Sequence, residues 1–171
     1  EPMESPVRNK VSKTQTNPVA ALFQTPEQND GNFEEYLKKY PVIGTTHRLS
    51  EHWQAGQMTR NISLLNELMP SMFVMMSLEL AKALGVKNGE PVVVTTSRGD
   101  IEARAHVTAR IRAFNVGEKL VEVITLPWHF GFIGESTGAL ANRLTGHWGD
   151  ANTSIPEYKV FLCNVKKGGV A

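Results

Sequence analysis

The stretch PVVVTTSRGDIEARAHVTARIR, residues 91–112, decides the fold class. Pro91 to Thr96 is a β-branched run and Arg98-Gly99-Asp100 is turn material. Beyond it Ile101, Ala103, Ala105, Val107, Ala109 and Ile111 alternate with Glu102, Arg104, His106, Thr108, Arg110 and Arg112. A period of two places one set on an apolar face and the other in water, so the stretch predicts a hairpin with one wet face. Working outward, Asn115 to Lys119 predicts a second turn with Leu120 to Leu126 as its return strand, and Tyr158 to Val165 supplies a last strand. Upstream, Met72-Phe73-Val74-Met75-Met76 is a short apolar run between serines, which fits a buried strand whose methionines fill core.

Helical signals are few. Ile62, Leu64, Leu65, Leu68 and Met69 fall at helical spacing before Pro70. Ser77 can cap a second helix through Leu84, with Gly85 in the left-handed position that ends it and Asn88-Gly89 turning the chain. There is no strand–helix alternation of the doubly wound kind and no alignable repeat. The expected fold class is mainly β, a closed or nearly closed β-barrel with a few short helices.

Residues 1–32 hold four of the nine prolines and only brief apolar islands such as Val19 to Phe23, so they read as an extended arm, a leader or a strap across a neighbouring domain. Asn32 to Tyr40 predicts a short exposed helix that Pro41 stops. The expected organisation is therefore an arm and short helix over 1–41 and a barrel domain over 42–171. The chain opens on Glu1 rather than methionine, as a piece of a longer product would.

The balance of charge narrows the partners. Lys and Arg number 18 against 17 Asp and Glu, for a net charge of +1, so no excess points to nucleic acid or an anionic membrane surface. No apolar run approaches the ~20 residues that cross a bilayer, and the first ten residues lack the pattern of a signal peptide. A single cysteine, Cys163, excludes an internal disulfide, a thiolate zinc site and an iron–sulfur cluster built from this chain alone.

Three patches are polar, aromatic and glycine-rich beyond what packing requires. Residues 44–60, GTTHRLSEHWQAGQMTR, concentrate Thr45, Thr46, His47, Arg48, Glu51, His52, Trp53, Thr59 and Arg60. Arg grips phosphate oxygens as a fork and Thr adds a donor, so the segment suits a phosphate or a pterin edge; its other reading is a solvated loop. Residues 127–138, PWHFGFIGESTG, set Trp128, His129 and Phe130 among glycines that let backbone approach a ligand, although a histidine beside aromatics also serves as an interior strut. Residues 141–159 carry Asn142, Thr145, His147, Asp150, Asn152, Glu157 and Lys159. Their Asp and Asn could read a guanine edge, or hold a long surface loop by Asx turns. A phosphate-loop GxxxxGK[ST], HExxH and a strand-linked GxGxxG are all absent, and no spacing makes a credible triad.

These patches, in this order, resemble the C-terminal part of the large catalytic (alpha) subunit of molybdenum- or tungsten-dependent formate dehydrogenases, particularly the respiratory type. The stretches that carry the resemblance are YPVIGTTHRLSEHW, LAKALGVKNGEPVVVTTSRGDIEARAHVTARI, LPWHFGF and GALANRLTGHWGDANTSIPEYKVFLCNVKK, and the arm segments EPMESPVRN and TNPVAALF extend it over nearly the whole chain. The resemblance implies a double-psi β-barrel, aspartate decarboxylase-like, that closes over bis(molybdopterin guanine dinucleotide) for reversible oxidation of formate to carbon dioxide. It implies Thr46, Arg48, Glu51, His52, Trp53, Thr59 and Arg60 along the pterin and diphosphate. Trp128, His129 and Gly131 would border the pterin, and Asn142, Asp150, Asn152 and Lys159 would lie at the other side.

It places the metal ligand, its assisting residues and the iron–sulfur cluster on earlier domains, so this chain carries no catalytic or metal-ligating residue and by itself is expected to be inactive. The implied partners are those domains and an iron–sulfur electron-transfer subunit, and the respiratory likeness favours the periplasm. One departure stands in Phe73-Val74-Met75-Met76-Ser77, where the family often has an acidic residue after the Phe-Val pair. The competing readings are the same domain of a sister oxidoreductase such as nitrate reductase, and a non-enzymatic barrel that binds a nucleotide or a protein. A pyruvoyl decarboxylase, which shares the barrel, needs a Gly-Ser bond that this sequence lacks.

Overall fold

The computed structural model describes residues 33–131, 135–146 and 158–168, together with residues 10, 11, 13, 153, 155 and 156. Helix α1 (Phe33–Lys39) leads into strand β1 (Val42–His47), and helix α2 (Ser63–Leu68) precedes β2 (Phe73–Met76), helix α3 (Leu78–Leu84), β3 (Pro91–Thr95) and β4 (Asp100–Val107). Short strands β5 (Phe114–Val116) and β6 (Lys119–Val121) follow, then β7 (Val123–Pro127) and β8 (Phe161–Lys167). Six strands close a barrel in the order β1, β7, β2, β4, β3, β8, while β5 and β6 form a separate two-stranded sheet.

The barrel is mixed. Strand β1 runs parallel to β7, with Ile43 opposite Val123 and His47 opposite Pro127, and β2 runs parallel to β4. The remaining contacts, β1–β8, β2–β7, β3–β4 and β3–β8, are antiparallel. Because β1 and β7 start together and finish together, the barrel has two distinct ends. Their finishing end releases the loops that hold the first two polar patches. Their starting end carries α1 and the β5–β6 hairpin.

Alternation builds the interior. Val74 and Met76 from β2, Val92 and Val94 from β3, Ile124 and Leu126 from β7, and Phe161, Cys163 and Val165 from β8 are all buried. Each side chain of this size contributes about 1.5–3 kcal/mol when taken fully from water, so closure of the six strands supplies the main stabilisation. Cys163 sits in that core, where burial pushes its thiol well above the ordinary cysteine range and leaves it chemically silent.

The expected hairpin forms, with Pro91 opposite Arg104 and Thr95 opposite Asp100. Strand β4 stops at Val107, however, and does not run on to Arg112. Thr108 donates its N–H to the Met76 carbonyl and its hydroxyl accepts from the Arg110 N–H, a local turn that competes with the ladder. The expected return strand from Leu120 to Leu126 is divided between β6 and β7, which lie in different sheets. Helix α3 is capped as anticipated: Ser77 Oγ accepts the Leu80 N–H at 2.9 Å, and Gly85 ends the helix at φ 65°.

Two helices depart from expectation. Helix α1 is not simply exposed, since Tyr36 and Tyr40 are buried beside Leu162, and the Tyr36 hydroxyl hydrogen-bonds with Ser97 Oγ at 3.0 Å. Helix α2 buries polar Asn66 and leaves Ile62, Leu64 and Leu68 in solvent, while Leu65 is half-buried and Met69 packs against the core, so only part of the apolar stripe that predicted it turns inward.

Candidate functional site

Three long-range struts organise the finishing end of β1 and β7. The first is His129, which is buried and follows β7 by two residues. Its Nε2 accepts the Leu49 N–H at 2.9 Å, so the proton resides on Nδ1, which donates to the Gln54 carbonyl. Both ring nitrogens are committed to the loop after β1. Burial holds His129 below the usual histidine range; the Gln54 bond opposes that, and the nearby His52, Arg48 and Lys159 add to it. The histidine acts as a neutral strut.

The second strut is His52, also buried. Its Nε2 donates to the Met69 carbonyl at 2.9 Å and its Nδ1 hydrogen-bonds with Thr59 Oγ1 at 3.3 Å. The Thr59 hydroxyl in turn accepts the Trp53 N–H at 3.0 Å, so one hydroxyl ties both ends of the intervening loop. The third is Arg60, whose side chain is almost completely buried. Its Nε donates to Ser136 Oγ at 3.1 Å and its Nη2 to the Ser136 carbonyl at 3.3 Å, and the guanidinium lies 5.7 Å from the Phe130 ring centroid. Burial lowers its pKa, yet an arginine remains a cation in any ordinary buffer. Asn66 completes the joint, donating to the Arg60 carbonyl at 2.8 Å and to Glu135 Oε2 at 3.0 Å.

Two glycines are required by this crossing. Gly56 has φ +80°, and a Cβ there would stand 2.3 Å from the His129 carbonyl oxygen. Gly131 has φ +115°, and its Cβ would meet Leu140 Cα at 2.5 Å. Loop crosses loop so closely that a side chain cannot enter.

Around these struts lie the donors Arg48, Trp128 and Lys159, together with the carboxylates of Glu51 and Glu135. Arg48 is exposed, with its guanidinium 5.9 Å from the Trp128 ring centroid. Trp128 stacks on His129 at 5.3 Å, and its indole Nε1, buried, has no hydrogen-bond acceptor among the described residues. Lys159 Nζ donates to Thr46 Oγ1 at 2.7 Å, just before β8 enters. Next to it His47, half-buried, hydrogen-bonds with Thr125 Oγ1 at 2.8 Å, and burial first, then His129, Lys159 and His106, holds its pKa below the usual range. A buried N–H with no acceptor is costly alone, and here it lies beside the cation of Arg48. An acceptor-rich, anionic ligand is the chemistry that completes such a set.

The predicted residues thus separate by position. Thr46, Arg48, Trp128 and Lys159 form the donor rim, and Trp53 is exposed at the edge of the same loop. His52, Thr59, Arg60, His129 and Gly131 build the framework behind it. Glu51 is half-buried and accepts from Ser50 Oγ at 3.2 Å. Asn142 is exposed in a short 3-10 turn, its carbonyl accepting from Thr145 Oγ1 at 3.4 Å. Asp150 and Asn152 lie outside the described residues. Among the described residues no group of three or more His, Cys, Asp or Glu is placed to hold a metal ion. The sequence reading passes over Gln54, Gly56, Asn66 and Ser136, whose partners lie up to 76 positions away and leave no mark in local spacing.

The chain belongs to a described class. Residues 42–162 match the family model "Molydopterin dinucleotide binding domain", and the chain belongs to that family. Within it, the chain is homologous to formate dehydrogenase alpha subunits. It is 44% identical over 169 residues to formate dehydrogenase subunit alpha of Megalodesulfovibrio gigas, covering 98% of this chain and 16% of that one. It is 40% identical over 171 residues to the nitrate-inducible formate dehydrogenase major subunit of Escherichia coli (strain K12), with the same two coverages. The chain therefore spans about a sixth of the length of these relatives. Among solved structures, acetylene hydratase from Pelobacter acetylenicus shares the fold at TM-score 0.61 and 18% identity, over 85% of this chain and 21% of that one.

Proposed function

We propose that this chain is the C-terminal, cofactor-clamping part of a formate dehydrogenase catalytic subunit of the respiratory type. In this reading the closed barrel is of the double-psi, aspartate decarboxylase-like kind, residues 42–171 form the binding domain, and residues 1–41 are the segment that leads into it. The ligand is bis(molybdopterin guanine dinucleotide) with molybdenum or tungsten, shared with the rest of the subunit. When bound, that group supplies the two-electron chemistry that interconverts formate and carbon dioxide. The iron–sulfur cluster belongs to the rest of the subunit, and an iron–sulfur electron-transfer subunit is the further partner.

The observation that carries the reading is the buried Trp128 N–H, without an acceptor among the described residues, under the exposed guanidinium of Arg48 and at the same end of the barrel as Lys159. A pterin edge or a diphosphate oxygen is the acceptor it suits, and the two cations offset diphosphate charge. Arg48, exposed over the Trp128 ring, is the direct charged contact. Arg60, spent on Ser136, acts by fixing the loop that bears Trp53 and Thr59. His129 holds Leu49 and Gln54 so that Arg48 emerges over Trp128. Asn142, Asp150 and Asn152 take the guanine side. The chain's own residues bind, orient and screen the cofactor; none of them transfers the proton or hydride.

Replacing Arg48 by Ala in the full-length polypeptide that carries this sequence should lower pterin and metal content several-fold, with turnover per bound metal unchanged. Full metal occupancy with lost turnover would refute the assignment. Full occupancy without formate-dependent dye reduction in the unaltered protein would favour a sister oxidoreductase.

A further inference from the structure

We propose that His47 is a further binding residue of the donor rim, one that takes up a proton from the buffer as a phosphate-bearing ligand arrives and donates Nε2–H to a phosphate oxygen. The inference deepens the cofactor reading and rests on it. His47 ends β1 at its finishing end, one residue before Arg48 and one after Thr46, whose hydroxyl accepts from Lys159 Nζ at 2.7 Å. The ring is half-buried. Its Nδ1 hydrogen-bonds with Thr125 Oγ1 at 2.8 Å, and Nε2 has no hydrogen bond among the described residues. The Phe73 ring centroid lies 5.7 Å from it, and the His106 ring lies 5.5 Å from Phe73.

Bonding separates His47 from the other described histidines. His52 and His129 are buried with both ring nitrogens bonded, and His129 Nε2 accepts the Leu49 N–H, a bond that protonation would break. His106 is exposed on β4, away from the rim loops. His47 combines an open nitrogen with a partner that tolerates either protonation state. A hydroxyl both donates and accepts, so the Thr125 bond survives when the ring gains a proton. The surroundings favour an anion. Lys159 from the segment before β8, His129 from the loop after β7 and His106 from β4 all act on the ring, and each opposes a proton there. Strand β2 presents neutral Phe73, and Arg104, opposite it on β4, is exposed and bonded to the Gly89 carbonyl. On its own segment Arg48 follows directly, and half-buried Glu51 accepts from Ser50 Oγ. Among the described residues no carboxylate pairs with Lys159 or Arg48.

Burial and these neighbours keep the ring neutral at neutral pH in the free chain. A phosphate oxygen within reach of Nε2 reverses that balance, because an opposite charge and a charge-assisted hydrogen bond both favour the imidazolium. Binding is then coupled to uptake of one proton between the free and the bound pKa. Affinity is highest below the free pKa, falls as pH rises towards the bound one, and levels off above it. The proton forms one N–H bond on the ring and is distinct from that of the redox chemistry. A site of Arg and Lys alone would hold its affinity over the same range, since both stay charged.

Diguanosine diphosphate is the probe, because its diester phosphates stay ionised throughout the titration of histidine. At constant ionic strength, NMR of the ring in this chain should show the His47 pKa rising by about one unit on saturation. Affinity by calorimetry should be about ten-fold higher below both pKa values than above them. His47→Gln should bind with an affinity that no longer varies over that range, whereas His106→Gln should retain the dependence. An unmoved His47 at saturation overturns the proposal, as does a pH dependence that persists in His47→Gln or a chain that binds no diguanosine diphosphate. If His47→Gln fails to fold, the ring titration in the unaltered chain still decides. Pterin in the full-length polypeptide with an unmoved His47 would refute this inference alone; a shifted His47 with no pterin in that polypeptide would refute the cofactor reading alone.

Discussion

The two ends of the β1–β7 pair are built from opposite materials. At the finishing end, buried His52, Arg60, His129 and Ser136 cross-link loops distant in sequence, and a rim of donors looks outward. At the starting end a two-residue turn at Gly117-Glu118 projects a small hairpin whose apolar side chains remain in water. The contrast teaches that polar groups need not be the exposed part of a binding domain. One end spends its polar side chains internally on a cross-linked frame, and the other leaves apolar side chains open to water.

The largest expected effect comes from comparing two glycines of positive φ. Gly56→Ala places a Cβ 2.3 Å from a backbone oxygen, so backbone strain and overpacking together should cost about 4 kcal/mol of stability in denaturant unfolding. Gly117→Ala, at φ +61° with open space around it, should cost about 1 kcal/mol. Equal losses would break the distinction between a crossed frame and an open hairpin.

A smaller effect is expected from pH. His129 is held below the free histidine value by burial, so the unfolded chain binds the proton more readily than the folded one. Stability should be complete above pH 6.5 and decline as pH falls from there through the depressed folded pKa. His129→Gln should lessen that decline and leave the share of the similarly depressed His47, whereas Leu120→Ser, at the other end, should leave its slope unchanged and shift stability by less than about 0.5 kcal/mol. An unaltered slope in His129→Gln would show that the strut titrates elsewhere.

Much of the barrel is legible because alternation and caps are local signals. The hairpin of Pro91 to Val107, the Ser77 cap and the Gly85 stop all follow from residues within a few positions of one another. Strand β1 is not, because its Gly44-Thr45-Thr46-His47 end reads as polar loop; its parallel partner, β7, lies some 80 positions away. Helix α2 forms where its spacing predicts, but its stripe is only partly used: Met69 packs against the core, and none of the described residues covers Leu64 or Leu68. In the site, composition locates the first two patches but cannot separate rim from frame. Arg48 and Arg60 look alike in the sequence, and only the Ser136 contact tells the exposed cation from the buried strut.

The central claim is most directly tested by extracting and quantifying pterin, guanine nucleotide and metal from the full-length polypeptide that carries this sequence, alongside the same protein bearing Trp128→Phe. The account predicts molybdopterin guanine dinucleotide with molybdenum or tungsten in the unaltered protein and several-fold less in the variant, whose ring still stacks on His129 but offers no N–H. A well-folded protein that yields no pterin, or a variant that retains all of it, would contradict the account.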